Sequence, residues 1–158
     1  MKRIFYIVIL QLFLNNFVSN VYALCTSLSC SETISKQIVT FTNQFRASNG
    51  RSNLVWNEII SSIGRAYSIR MARGIDPFGH NGFTCRVSLF PLAAQAAGEN
   101  LYFTSNATSS NIARMAVDAW INSPGHRANL LGQYNYCGVG VFQNNAGVWY
   151  VTQLFALF

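Results

Sequence analysis

After Ser31 the apolar residues Ile34, Ile38, Phe41 and Phe45 recur at a spacing that lays one stripe along a helix, and Asn49-Gly50 is its stop signal. A second helix follows Asn57, whose side chain suits an N-cap. Its inward face reads Ile60, Ile63, Tyr67 and Met71, and Gly74 closes it before Asp76-Pro77. From 75 to 98 the period is lost. Pro77, Gly79, Gly82, Pro91 and Gly98 mark a long loop, with a single helical turn predicted from Leu92 to Ala97. A third helix fits Ser110 to Asn122, with Ile112, Met115, Ala116, Ala119 and Trp120 on one face. A short fourth starts at Ser123 as N-cap with Pro124 at the first helical position, and runs to Leu131. The pattern then changes to strands. Gly138 to Gln143 and Val148 to Phe155 are joined by the turn Asn144-Asn145-Ala146-Gly147, and Glu99 to Phe103 adds a third strand. Helices followed by hairpin-linked strands, without an internal repeat, predict an α+β sandwich with a small antiparallel sheet flanked by helices.

The chain starts differently. Met1-Lys2-Arg3 precedes the apolar run Ile4 to Leu14, followed by polar Asn15 and Asn16 and then Val21-Tyr22-Ala23. A basic start, a short apolar core and a small residue at the cut make a secretory signal peptide, with cleavage expected after Ala23. The apolar core is well short of the ~20 residues that span a bilayer as a helix, so no transmembrane segment is expected. The predicted organisation is a cleaved leader over 1–23, a cysteine-containing N-terminal segment over 24–33 and a single domain over 34–158, secreted to the extracellular space.

Composition narrows the class. The chain has 158 residues, 51% of them hydrophobic and 10% charged. Low charge combined with 14% aromatic residues excludes intrinsic disorder, because apolar surface is ample to offset ordering entropy. The formal net charge of +6 is scattered. Arg46, Arg51, Arg65, Arg70, Arg73, Arg86, Arg114 and Arg127 form no stripe of the kind that binds nucleic acid, and are expected mostly on solvated helix faces. Four cysteines, Cys25, Cys30, Cys85 and Cys137, all follow the predicted cut. In an oxidising compartment an even set points to two disulfides among three possible pairings, of which Cys25–Cys30 with Cys85–Cys137 is the candidate. Asn106-Ala107-Thr108 is an N-glycosylation sequon.

Candidates for chemistry are few, because the chain has two histidines and five acids. Glu99, between an alanine-rich stretch and Leu101-Tyr102-Phe103, is expected to be partly buried and to need a partner. His126 falls in the first turn of the short helix, where the positive dipole end favours the neutral, metal-binding imidazole. His80 lies in Phe78-Gly79-His80-Asn81-Gly82, where glycines let backbone and ligand approach closely. Each also has a structural reading: a hydrogen-bonded loop histidine, a histidine bonded across a turn, or a carboxylate satisfied by an arginine or by backbone N–H groups. No nucleophile elbow, HExxH, phosphate loop or dinucleotide fingerprint occurs.

The string Ala116-Val117-Asp118-Ala119-Trp120-Ile121-Asn122-Ser123-Pro124-Gly125-His126-Arg127-Ala128-Asn129-Leu130-Leu131 stands between Gly98-Glu99-Asn100-Leu101 and Gly138-Val139-Gly140-Val141. With Asn43 to Gly50, Leu54-Val55-Trp56-Asn57 and Tyr150 to Phe155, it resembles the CAP superfamily of cysteine-rich secretory proteins, antigen 5 and pathogenesis-related 1 proteins, also called the SCP domain. The resemblance covers residues 34 to 156 and is similar to the bacterial, fungal and protist branch. It implies an α-β-α sandwich and a cavity lined by two histidines and two acids that holds a divalent cation in some members. The matching positions are His80, Glu99 and His126, with Asn100, Ser123 and Gln153 lining the cavity or supporting it. The second acid is replaced by Ser123, which weakens a zinc or magnesium site, and no cofactor is expected to be required.

The resemblance further implies a secreted, non-enzymatic protein that binds a sterol or fatty acid, or that meets an extracellular protein or host surface. Val87 to Leu92 and Tyr102-Phe103 are the candidate groove, with core packing the expected use of most of them. The alternative is a metal-dependent extracellular hydrolase using His80, Glu99 and His126. A disulfide-tied surface scaffold with neither ligand nor metal is a third class.

Overall fold

A computed structural model describes residues 29–158. The predicted leader and Cys25 lie outside the described residues. Ser31–Phe158 forms one compact unit.

Helix α1 runs through 29–48 and ends at the turn 49–50, where Gly50 takes a positive φ of 70°. Ile34 and Ile38 are buried, and Phe41 and Phe45 pack at the rim of the core, as the stripe predicts. Strand β1 is Val55–Trp56, too short to show a period, and the sequence pattern missed it. Helix α2 is Glu58–Ala72, capped by Asn57, whose Oδ1 accepts from the Ile60 N–H at 3.0 Å. Helix α3 is Phe83–Val87, so the helical turn expected at Leu92–Ala97 is misplaced. Residues 96 and 97 instead extend strand β2, which is Ala96–Thr104. They do so because β4 offers them backbone partners, in the register Ala96↔Leu157 and Ala97↔Ala156. Helix α4 is Ile112–Ile121 and α5 is Pro124–Leu130. Strands β3, Tyr136–Gln143, and β4, Trp149–Leu157, form the expected hairpin.

The sheet order is β1-β3-β4-β2, parallel only between β1 and β3. Strand alternation sorts the sheet's side chains between two layers. Cys137, Val139, Val141, Val151 and Phe155 meet α1 and α4 through Ile34, Ile38, Ile112, Ala116, Val117 and Trp120. On the other face Leu154 and Ala156 meet Ile60 and Phe90, while Leu101 meets Tyr67 and Met71. This is an α+β sandwich, with α2 on one face and α1, α4 and α5 on the other.

Helix α2 sits unusually close to the sheet. A Cβ on Gly140 would stand 1.9 Å from the Arg65 backbone nitrogen, and one on Gly138 would stand 2.2 Å from that of Ser61. Two glycines alternating on β3 therefore set the spacing of this layer. The Ser61 hydroxyl donates to the Val139 carbonyl at 2.7 Å, and the Ser68 hydroxyl to that of Gly140 at 3.0 Å.

Two arginines expected in solvent are buried. Arg46 is 2% exposed and donates to the carbonyls of Ser52, Leu130 and Gly132 at 2.8, 2.7 and 2.9 Å, tying α1 to the end of α5. Arg86 belongs to the site described below. The expected Cys85–Cys137 disulfide is not formed. Cys85 is an exposed thiol on α3, whereas Cys137 is fully buried on β3 against the α1/α4 layer. Cys30 is also free and exposed. Among the described residues no helix is long and apolar enough to cross a membrane.

Candidate functional site

Strand β2 is at the edge of the sheet, so side chains from both of its faces reach the same rim. Glu99 projects on the α2 side and is buried, with its carboxylate only 2% exposed. The 79–82 loop brings His80 to it, and the imidazole Nδ1 lies 2.8 Å from Glu99 Oε1. Helix α3 brings Arg86, whose Nε donates to Glu99 Oε2 and Nη2 to Oε1, each at 2.7 Å. Nη1 donates to the Asn81 carbonyl at 2.7 Å, and the guanidinium lies 3.5 Å from the centre of the Tyr67 ring. The Tyr67 hydroxyl donates to the Gly79 carbonyl, which pins the same loop from below. Burial raises the Tyr67 pKa above its ordinary value, keeping this hydroxyl protonated as a donor.

A carboxylate paired with a guanidinium has no proton to give, so His80 Nδ1 is the donor. The ring is thereby oriented with Nε2 pointing away from Glu99. The imidazole remains 55% exposed, so that nitrogen is reachable from solvent.

His126 arrives from the other face of β2. The Asn100 side chain, fully buried, donates to the His126 carbonyl at 3.1 Å, and Asn129 donates to Asn100 Oδ1 at 2.9 Å and to the Glu99 carbonyl at 3.0 Å. These amides fasten the first turn of α5 to the strand that carries Glu99. The His126 pKa is lowered, first by burial and second by the charge of His80. The structure brings His80 and Glu99 into direct contact and ties the backbone of His126 to the strand that carries Glu99, and it adds Arg86 and Tyr67, which sequence reasoning missed. The signal for Arg86 was an arginine six residues after His80, of the kind that can satisfy a buried carboxylate.

Ser123 occupies the N-cap position of α5 and its carbonyl accepts from the Arg127 N–H at 2.8 Å, but its side chain makes no capping bond. Gln153 is in register with Asn100 and fully buried; its Nε2 donates to the Thr42 hydroxyl at 3.1 Å, and its Oε1 has no partner. The sequon Asn106 is exposed in the bend after β2.

The donor set does not fit a divalent cation. Both oxygens of Glu99 are taken by Arg86 and His80, His80 Nδ1 is taken by Glu99, and Ser123 contributes no carboxylate. Two imidazoles are left, fewer than the three protein ligands of a catalytic zinc site. Among the described residues no three His, Cys, Asp or Glu side chains are grouped to hold a metal ion.

Beside this cluster a groove of about 730 Å3 runs between α2 and α3. Ile59, Ile63, Ala66 and Leu89 give it apolar walls, and Tyr67 and Arg86 are shared with the cluster. Of the segments expected to form a groove, Leu89 contributes. Phe90 is buried in the core, and Phe103 packs at a tilt against Phe78 and stacks on Tyr150. The α2 wall was missed because Ile63 was read as core-facing, whereas it is half-buried and faces the groove beside exposed Ile59.

Comparison with known proteins agrees with this fold. The family model described as "Cysteine-rich secretory protein family", CAP, matches residues 39–155. A Bacillus subtilis protein named YkwD is 30% identical over 120 residues, covering 72% of this chain and 44% of that protein. The Bacillus subtilis membrane protein YlbC is 30% identical over 115 residues, covering 69% of this chain and 32% of that protein. The chain thus spans less than half the length of either relative. The crystal structure of an extracellular protein containing an SCP domain from Bacillus anthracis superimposes with a TM-score of 0.68 at 27% identity, covering 81% of this chain and 41% of that one. An outer surface protein from Borrelia burgdorferi shares the fold, with a TM-score of 0.63 at 16% identity over 77% of this chain and 90% of that one. A family match across most of the domain, on the fold and rim geometry described above, shows that the chain belongs to the CAP family of cysteine-rich secretory proteins.

Proposed function

We propose that this is a secreted, non-enzymatic binding protein that takes a small hydrophobic ligand in the groove between α2 and α3. The groove itself carries the reading: about 730 Å3 lies inside the ~300–1,000 Å3 range of small-molecule sites, and its walls are apolar with a few polar groups at the edge. Secretion is supported by the leader-like pattern of residues 1–23 and by the similarity to a protein described as extracellular.

Charge at the groove favours one ligand class. Both of its cations are already paired: Arg86 with Glu99, and Arg70 with Asp76 at 2.9 Å. Glu58, at the same edge, has no ion-pair partner among the described residues. An ionised fatty-acid carboxylate therefore meets no free cation, whereas the hydroxyl of a sterol is matched by Ser62 and Asn81 at the lining.

The test is saturable binding of a fluorescent sterol to the purified protein, with competition by unlabelled sterol and by a long-chain fatty acid. Saturation displaced by sterol more strongly than by fatty acid is expected. Ile59→Glu and Leu89→Glu, both at exposed positions, are expected to abolish it while leaving the fold intact. No saturable binding of either lipid at micromolar concentration would sink the proposal.

A further inference from the structure

We propose that the groove between α2 and α3 selects a cationic amphiphile, an apolar body carrying one ammonium group, and seats the ammonium at Glu58. The proposal rests on the reading of the groove as a hydrophobic-ligand site and adds the sign of the ligand's head.

The α2 residues that line the groove give it a direction. Glu58, Ser62, Ala66 and Arg70 are spaced four apart, so they follow one another along one face of the helix. That row is about 18 Å long at the helical rise. Glu58 stands at one end with Ser62 one turn on, and Ile59, Ile63 and Leu89 add apolar wall to the same groove.

Charge along the row is uneven. Arg70 is bonded to Asp76 at 2.9 Å and Arg86 to Glu99 at 2.7 Å, so each cation lining the groove already has its own carboxylate. Glu58 is exposed and has no ion-pair partner among the described residues. Lys36, whose charge reaches Glu58, is bonded instead to Glu32 at 2.6 Å. The charge left unmatched at the groove is therefore negative. An ammonium placed there gains the Glu58 carboxylate and the Ser62 hydroxyl as acceptors while its apolar body covers Ile59 and Ile63. A neutral hydroxyl leaves the carboxylate unused, and an anionic head is repelled by it. The chain as a whole carries a formal net charge of +6, so attraction set by overall charge would favour the anion. A preference for the cation is the signature of this local site.

The full purified chain would be titrated by calorimetry, at neutral pH and low salt, with dodecylamine, dodecanol and dodecanoate, three heads on one tail. The amine is expected to bind roughly two- to fivefold tighter than the alcohol, and the acid more weakly than either, as suits an ion pair at an exposed edge. In 1 M salt, where charges are screened beyond ~3 Å, the three should converge. Glu58→Gln is expected to make amine and alcohol equal, Glu58→Lys to reverse the order in favour of the acid, and Asp118→Asn, on the opposite face of the sheet, to leave it unchanged. A Glu58 that only supports the start of α2 would alter stability without altering the order of heads. An alcohol that binds as tightly as the amine overturns the proposal, and so does an amine preference that survives Glu58→Gln. Sterol binding without any preference among the three heads overturns this inference alone, whereas no saturable binding of sterol or of any of the three overturns the reading of the groove with it.

Discussion

The spacing between α2 and the sheet rests on the missing side chain at Gly140, and substituting alanine there is a direct probe of it. The added Cβ would lie 1.9 Å from the Arg65 nitrogen and 2.2 Å from its Cα, against an ordinary contact of 3.4–4 Å. Both atoms are helix backbone, so no rotamer change relieves the clash and α2 must retreat by about 1 Å or more. Retreat opens a gap over Ile60, Tyr67 and Met71, which the helix buries. Each is worth ~1.5–3 kcal/mol when fully buried, and a gap of ~0.5–1 Å forfeits a quarter to a half of the dispersion well. That amounts to about 1–4 kcal/mol for the three. The Ser61 and Ser68 bonds to β3 carbonyls stretch as well, at about 1 kcal/mol each. Gly140→Ala is therefore expected to lose about 3–6 kcal/mol, a large share of the ~5–15 kcal/mol of a typical domain. Urea unfolding followed by circular dichroism measures it, with Gly125→Ala as the control. A Cβ at Gly125 meets nothing within 4 Å and the residue is helical, so that variant is expected to be neutral or to gain up to about 0.5 kcal/mol. Gly140→Ala within ~0.5 kcal/mol of the parent would refute the reasoning.

Three further outcomes are expected. Arg46→Met leaves carbonyls at the end of α5 and in the following turn without their charged donor; about 3 kcal/mol of lost stability in urea is expected, and less than ~1 kcal/mol would show that water replaces it. Cys85 should react with a maleimide in the native protein. Cys137, whose thiol burial pushes up to about 12, should react only after unfolding, and mass spectrometry of the native adduct distinguishes them. His126 titrates below its ordinary 6.5 in the folded protein, so the unfolded chain takes up its proton first as pH falls. Stability should thus decline as pH drops through about 6.5 and level off below the folded-state value. His126→Gln should flatten that part of the profile, and an unchanged slope would remove His126 as its cause.

Much of the architecture was legible because it depends on local periodicity. The stripes of α1 and α2, the Asn57 cap, the Ser123-Pro124 start of α5 and the β3/β4 hairpin are each written in a few neighbouring residues. What was misread depends on partners distant in the chain. Ala96 and Ala97 read as helix by composition but become strand because β4 supplies backbone hydrogen bonds. The two-residue β1 exists only through its parallel pairing with Tyr136 and Cys137.

The same division applies to the rim. The sequence by itself determined which side chains were available, since only two histidines and a few acids exist, and it placed His126 in the first turn of a short helix. Only the tertiary structure decided that Arg86 closes on Glu99, that Arg46 is buried among carbonyls, and that Cys85 and Cys137 remain free thiols. Charge pairing and disulfide formation are set by distance in space, and a scattered list of arginines and cysteines carries no such distances until α2, α3 and the edge of the sheet are packed together.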